Sequence, residues 1–190
     1  MTKPSKPLVV GLSGNITTPS KTRALVATTL NLVADRLDIE TDLFEINDFG
    51  PSLGPARRLD DLAPEARAKV ARLLSADALV IATPIYKASY PGLFKHLIDL
   101  LDPTALTGRP VLLAATGGGE KHALAVEHQL RPLLAFFEAQ SLGTAVHASD
   151  KDFTDGALTG PATLDRLARA VTQFDAFFPA HLRLARAAAE

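Results

Sequence analysis

The chain has no cysteine, which excludes a disulfide framework, a thiolate metal site and a thiol nucleophile. It also lacks an excess of either charge. The 20 Lys and Arg set against 21 Asp and Glu leave a net charge of −1, and the isoelectric point is near 6.5. No basic surface therefore calls for nucleic acid. Long apolar runs are missing as well. The opening MTKPSKPLVVGLS holds only a short apolar stretch before a glycine and polar residues. That is too brief for a signal h-region and far short of a membrane span, so a cytoplasmic location without a membrane is expected. His96, His122, His147 and His181 fall on different elements at no metal-ligand spacing, and no carboxylate pair suggests acid–base work. No metal site is expected.

What is present is apolar patterning. With 47% hydrophobic residues in 190, the chain can bury one substantial core and reads as a single domain, residues 1–190. Apolar runs at Pro7 to Ser13, Ala78 to Thr83 and Pro110 to Thr116 predict buried strands, with further strands at Ile39 to Ile46 and Gly143 to Ser149. Between them, helical spacing predicts helices over Ser20 to Leu37, from Pro64, over Gly92 to Asp102, and over Ala123 to Gln140 despite Pro132. A closing helix runs from Ala162 to about Leu184, and Gly50 to Asp61 is a long surface loop. Strands apolar on both faces, alternating with helices, indicate a doubly wound parallel α/β sheet. Five strands in such a chain fit the flavodoxin-like order 2-1-3-4-5, in which ligands gather where strands end and helices begin.

Three such junctions stand out. GLSGNITTPSKT (Gly11 to Thr22) carries hydroxyls at Ser13, Ser20 and Thr22 and places Lys21 at a helix start. Unpaired N–H groups and a partial positive charge there suit a phosphate. An ordinary polar loop with Ser20 as N-cap explains the same residues. Gly11 and Gly14 are spaced G-x-x-G without a third glycine, and Gly14 lies one residue too far from Lys21 for a Walker A loop. The second junction, Pro84 to Pro91, contains Tyr86 and Tyr90 but no Cys, His, Asp or Glu. Its main chain at Ile85-Tyr86-Lys87 is expected to offer N–H and C=O groups to the crevice, while packing alone would also explain the tyrosines. The third, TGGGEKH (Thr116 to His122), sets three glycines before a helix. That run is costly in chain entropy unless amides approach a ligand closely or the turn needs positive φ.

A phosphate at one junction and a flat heterocycle between the other two describe flavin mononucleotide. Such a cofactor does its own redox chemistry, so the missing ionisable catalyst is no obstacle, and glycine-run amides could stabilise charge on the reduced ring.

Several stretches resemble the NAD(P)H-dependent FMN reductases of the flavodoxin-like superfamily, particularly those of two-component alkanesulfonate or methanesulfonate monooxygenase systems. These are ATPIYKASYPGLFKHLIDLLD, LLAATGGGEKHALAVEHQLRPLLAFFEA, GLSGNITTPSKT and VHASDKDF. The resemblance implies that Ser13, Ser20, Lys21 and Thr22 hold the FMN phosphate. It implies that Pro84, Ile85, Tyr86 and Lys87 line the isoalloxazine, with Thr116, Gly117, Gly118 and Gly119 at its pyrimidine edge. Lys21 departs from the arginine frequent in that family; a lysine keeps the charge but loses the bidentate fork. The implied activity is hydride transfer from NADH or NADPH to FMN, with reduced FMN handed to a flavin-dependent monooxygenase. An FMN-retaining quinone, azo-dye or metal-oxyanion reductase is the alternative. A flavodoxin-type electron carrier fits less well, because such carriers are strongly acidic and sandwich the ring between aromatics, whereas this chain is nearly neutral and has no tryptophan.

A homodimer or tetramer is expected too. Leu93, Phe94, Leu97, Ile98, Leu100 and Leu101 cover about half of helix 92–102, more than the roughly 100° arc one sheet requires. In helix 123–140, Pro132 interrupts the hydrogen-bond ladder, a break that can accompany a π-bulge. In the family this helix carries an insertion associated with a π-helix and subunit contacts, and His128 falls at that position. Arg57 and Arg58 in the long loop could reach a nicotinamide nucleotide, or could simply be solvated.

Overall fold

A computed structural model of the chain describes residues 6–119 and 122–183. The three most apolar runs form the centre of a parallel sheet: β1 (Leu8–Ser13), β3 (Ala78–Pro84) and β4 (Pro110–Gly117). β2 (Glu40–Glu45) pairs with the outer side of β1, giving the order β2-β1-β3-β4 and then the fifth position. This is the flavodoxin-like order that the alternation of elements predicts. Neighbouring residues along each central strand are buried on opposite faces. Val10, Leu79 and Leu113 belong to the core under α2 (Pro64–Leu74), α3 (Gly92–Asp99) and the helix after β4. Val9, Val80 and Leu112 belong to the core under α1 (Lys21–Ala34) and α5 (Pro161–Thr172). No helix among the described residues is long and apolar enough to cross a membrane.

The fifth sheet position differs from the expected strand over 143–149. Two short strands, β5 (Gln140–Ser141) and β6 (Val146–Ser149), both pair with β4, at its start and at its end. Between the Val111–Ser141 and Ala114–Val146 pairs, β4 advances fewer residues than its partner. Leu142 N still donates to Val111 O at 2.8 Å, and the chain leaves the ladder after it, over residues 143–145. Gln173 pins the detour, its Nε2 donating to Thr144 Oγ1 at 2.6 Å and its Oε1 accepting from Thr144 N at 3.2 Å. A short antiparallel pair, β7 (Phe153–Thr154) and β8 (Ala157–Leu158), comes next.

Three helices also end or break where periodicity alone does not say. The expected helix over 123–140 is a π-helical turn, Val126–Leu130, leading into α4 (Arg131–Phe136). Arg131 N donates to Val126 O, five residues back. Pro132 has no N–H to give, so the α ladder restarts only after it. The helix expected over 92–102 stops at Asp99; Asp102 Oδ1 then accepts from Thr104 N (2.8 Å) and Thr104 Oγ1 (2.6 Å), a turn before and after Pro103. The closing helix is α-helical only to Thr172 and tightens to a 3₁₀ turn over Gln173–Ala176. Pro179 disfavours helical geometry at the residue before it; Leu184 lies outside the described residues. The wide apolar arc of α3 is mostly used within the chain, since Phe94, Leu97, Ile98 and Leu101 are buried and Leu93 alone of that set is 40% exposed.

Candidate functional site

Parallel pairing brings the strand ends to one rim. Ser13 lies opposite Ala82, Pro84 opposite Thr116, and Gly117 opposite Ser149. The ladder continues one step beyond the strands, through Gly14 N to Ala82 O at 2.7 Å and Ile85 N to Thr116 O at 2.8 Å. The three junctions therefore open side by side, and a fourth, after β6, joins them.

In the first loop Ser20 is the N-cap of α1, its hydroxyl accepting from Arg23 N at 3.1 Å. The N–H groups of the first helical turn have no intrahelical acceptor and are directed out of the helix start. Lys21 Nζ lies 2.8 Å from Asp150 Oδ1 and 5.8 Å from the centre of the Phe153 ring. Ser13 and Thr22 behave differently. Both are buried; Ser13 Oγ donates to Asn15 Oδ1 at 2.5 Å, and Thr22 Oγ1 shares a hydrogen with Thr116 Oγ1 at 2.6 Å. Asn15, which periodicity and spacing pass over, organises the loop. Its Nδ2 donates to Thr17 O (3.0 Å) and Glu45 Oε1 (2.7 Å), while Glu45 Oε2 meets Arg23 Nε at 3.2 Å.

The second loop is a tight turn. Tyr86 N donates to Ser89 O (2.7 Å) and Ser89 N to Tyr86 O (3.1 Å). Lys87 and Ala88 both have positive φ, 50° and 71°, the geometry of a type I′ turn normally given to Asn or Gly. Two side-chain-bearing residues in that region cost on the order of 1–3 kcal/mol each, a strain that concentrates at functional loops. The free main-chain groups differ from those expected. Ile85 N and Tyr86 N, and Tyr86 O as well, are committed within the chain. Tyr90 packs on Phe94, ring centres 5.7 Å apart, whereas Tyr86 is 40% exposed. Ser89 Oγ donates to Gln129 Oε1 at 3.0 Å, tying the loop to the π-helical turn.

The third loop separates the two explanations for its glycines. The positive-φ glycines among the described residues are Gly50, Gly108 and Gly156, so the turn does not require the run at 117–119. A Cβ on Gly117 would sit 3.1–3.2 Å from His122 and His147 atoms, so any side chain there would press on both rings. A Cβ on Gly118 would meet only Asp150 Oδ2, at 3.6 Å, and one on Gly119 would meet nothing within 4 Å among the described residues. Among the described residues Gly119 borders open space and Gly118 meets a single carboxylate oxygen, as a backbone kept bare for a ligand would. His147, beneath this loop, has its Nε2 buried without a hydrogen-bond partner among the described residues. Burial, reinforced by His122, pushes its pKa down. Arg57 and Arg58 are exposed on the long loop, their amides donating to Asp61 Oδ2 at 2.8 and 2.9 Å.

A helix start with a lysine, a strained turn and a bare glycine loop on one rim fit a ligand with a phosphate at one end and a flat ring at the other. The fold and the rim together define a flavodoxin-like α/β protein of the nucleotide-cofactor-binding kind. Residues 7–154 match the family described as NADPH-dependent FMN reductase, and the chain belongs to that family. Membership makes it an oxidoreductase whose cofactors are FMN and NADH or NADPH. It is 43% identical, over 94% of its length and 96% of the relative's, to the NADH-dependent FMN reductase SfnF of Pseudomonas fluorescens. It is 44% identical to an FMN reductase (NADPH) of Pseudomonas aeruginosa, covering 80% of this chain and 81% of that protein. Among solved structures, an oxidoreductase from Corynebacterium diphtheriae superposes with a TM-score of 0.81 at 32% identity, covering 90% of this chain and 96% of the other.

Proposed function

We propose that the protein reduces FMN with NADH or NADPH at this rim and supplies the reduced flavin to a flavin-dependent monooxygenase of a two-component, sulfonate-type system. The observation that carries the site assignment is the bare side of Gly118 and Gly119 beside the α1 start. The likeness to the protein named SfnF supports the monooxygenase connection. When bound, FMN supplies the hydride-accepting centre, so the protein need only bind, orient and exclude.

Each loop then has a role set by its geometry. Ser20, Lys21 and the first-turn amides of α1 hold the phosphate, while Ser13 and Thr22 shape that loop from beneath through their buried hydrogen bonds. Pro84, Ile85, Tyr86 and Lys87 line the ring, with the strained Lys87–Ala88 peptide as its main-chain contact. Thr116 to Gly119 bring amides to the pyrimidine edge, where negative charge develops on reduction. The subunit contact of a dimer or tetramer is assigned to the face formed by α3 and α4, where a cavity lined by Ile98, Leu101, Pro103, Leu133 and Phe136 opens to the surface and Phe136 is 67% exposed.

Steady-state oxidation of NADH and NADPH by gel-filtered protein, with and without added FMN, tests the activity. Turnover that depends on FMN and exceeds the uncatalysed background is expected; background rates would refute it. Replacing Ser20 and Lys21 with alanine should weaken FMN binding by about tenfold or more, the scale of losing a charge-assisted contact. Calorimetry with FMN measures this directly. Delivery of the flavin is read as product formation when a sulfonate monooxygenase is added to the NAD(P)H, FMN and protein mixture.

A further inference from the structure

We propose that Asp150 is an internal competitor for the flavin phosphate: its carboxylate occupies the lysine at the phosphate cradle and so keeps FMN exchangeable. The inference rests on the assignment of this rim to FMN. Asp150 directly succeeds Ser149, the last residue of β6, whose register partner is Gly117. It therefore reaches the rim between the start of α1 and the glycine loop. One carboxylate oxygen, Oδ1, lies 2.8 Å from Lys21 Nζ. The other, Oδ2, is the nearest described atom to the open side of Gly118. A single carboxylate thus faces both loops that receive the ligand.

The pair has little structural use. The Lys21 and Asp150 side chains are 44% and 65% exposed, and ion pairs this open to water contribute little to folding stability. Asp152, two residues on, plays the opposite part. Its carboxylate takes hydrogen bonds from Ser149 N (2.7 Å), Ser149 Oγ (2.8 Å) and Thr163 Oγ1 (2.9 Å) and locks the segment in place. The main chain at 150 is held, and only the Asp150 side chain is left to turn.

A phosphate arriving at the α1 start meets a cation that is already neutralised and a carboxylate of its own sign close by. Binding exchanges one ion pair for another and displaces Asp150, so the net gain is smaller than an unpaired lysine would give. For a protein that hands its reduced flavin onward, a weakened phosphate grip shortens the time the product is held. The effect is specific to flavins bearing a phosphomonoester; riboflavin, which has none, is indifferent to it.

The experiment is titration of FMN and of riboflavin, by calorimetry and by quenching of flavin fluorescence, into wild type, D150N, D150S, K21Q and the K21Q/D150N double variant. D150N and D150S should each bind FMN about three- to tenfold more tightly, with dissociation slowed to match and riboflavin affinity unchanged; the gain should shrink in 0.5 M salt, where exposed charges are screened within about 4–5 Å. In the K21Q background the D150N gain should be markedly smaller. FMN affinity that is unchanged or lower in D150N, while wild type binds FMN, overturns the proposal alone. An equal gain for riboflavin also overturns it. A wild type that binds no FMN removes the site assignment and this inference together.

Discussion

His147 stands on β6 and is half-buried, with its Nε2 turned in beside Gly117. Protonating it would place a charge on a ring whose Nε2 is buried without a described hydrogen-bond partner, so burial, then repulsion from His122, hold its pKa below the ordinary 6.5. In the unfolded chain the same group takes up its proton near pH 6.5. The unfolded state therefore binds more protons as pH falls below that value. The stability His147 contributes is fully present above about pH 6.5 and is lost as pH falls toward its folded pKa. Urea unfolding midpoints of wild type should drop between pH 7.5 and pH 5.5, and His147→Gln should flatten that slope. The carboxylates that titrate low do not obscure this window. Hydrogen bonds from Arg36 to Asp175 and from Arg131 to Glu127 hold those groups below their ordinary 3.8 and 4.5, so their contributions are lost only at more acid pH. At this scale the sequence is legible where a residue acts on its near neighbours, as Ser20 does on Arg23. It is silent where the partner is far along the chain, as for Asn15 with Glu45 or Lys21 with Asp150, because no local pattern encodes a pairing that only the folded sheet creates.

The π-helical turn and the Tyr86–Ser89 turn are joined by one hydrogen bond, Ser89 Oγ to Gln129 Oε1. Gln129 belongs to the Val126–Leu130 turn, and a residue on an α-helix in its place would point elsewhere, since one residue more or less rotates the rest of the helix by about 100°. The extra residue in this turn therefore aims Gln129 at the loop that is assigned to the flavin ring. Gln129→Ala should cost about 1 kcal/mol locally. Hydrogen exchange at the Tyr86 and Ser89 amides should then quicken by roughly fivefold, while exchange in β3 stays unchanged. The break at Pro132 is legible in the sequence because proline removes a donor wherever it stands. The split of the fifth strand is not, because it depends on the Gln173 side chain reaching Thr144 from the end of α5. The strand order is legible for a third reason: continuous apolar runs demand burial on both faces, and few topologies supply it.

Across the whole molecule, the sheet separates two cores that share no residue, and the proposed contact surface lies over the one beneath α3 and α4. Phe136, 67% exposed on α4, stands against Phe137 with ring centres 5.2 Å apart, beside the cavity shared with α3. Lys95 and Asp99 border the same cavity, so the surface offers an aromatic anchor with charged groups beside it. Phe136→Asp should convert a dimer or tetramer to a smaller species in light scattering coupled to gel filtration, with the unfolding midpoint of the isolated chain little changed. An unchanged oligomer would move the interface elsewhere.

The buried hydroxyl contact between Thr22 and Thr116 links the start of α1 to the end of β4. The two jaws of the rim are consequently fastened to each other rather than hinged separately, and the cleft acts as a fixed-gap calliper. Thr22→Val should therefore loosen riboflavin as well as FMN, by about two- to tenfold for the loss of one buried hydrogen bond, even though riboflavin has nothing for a phosphate cradle to hold.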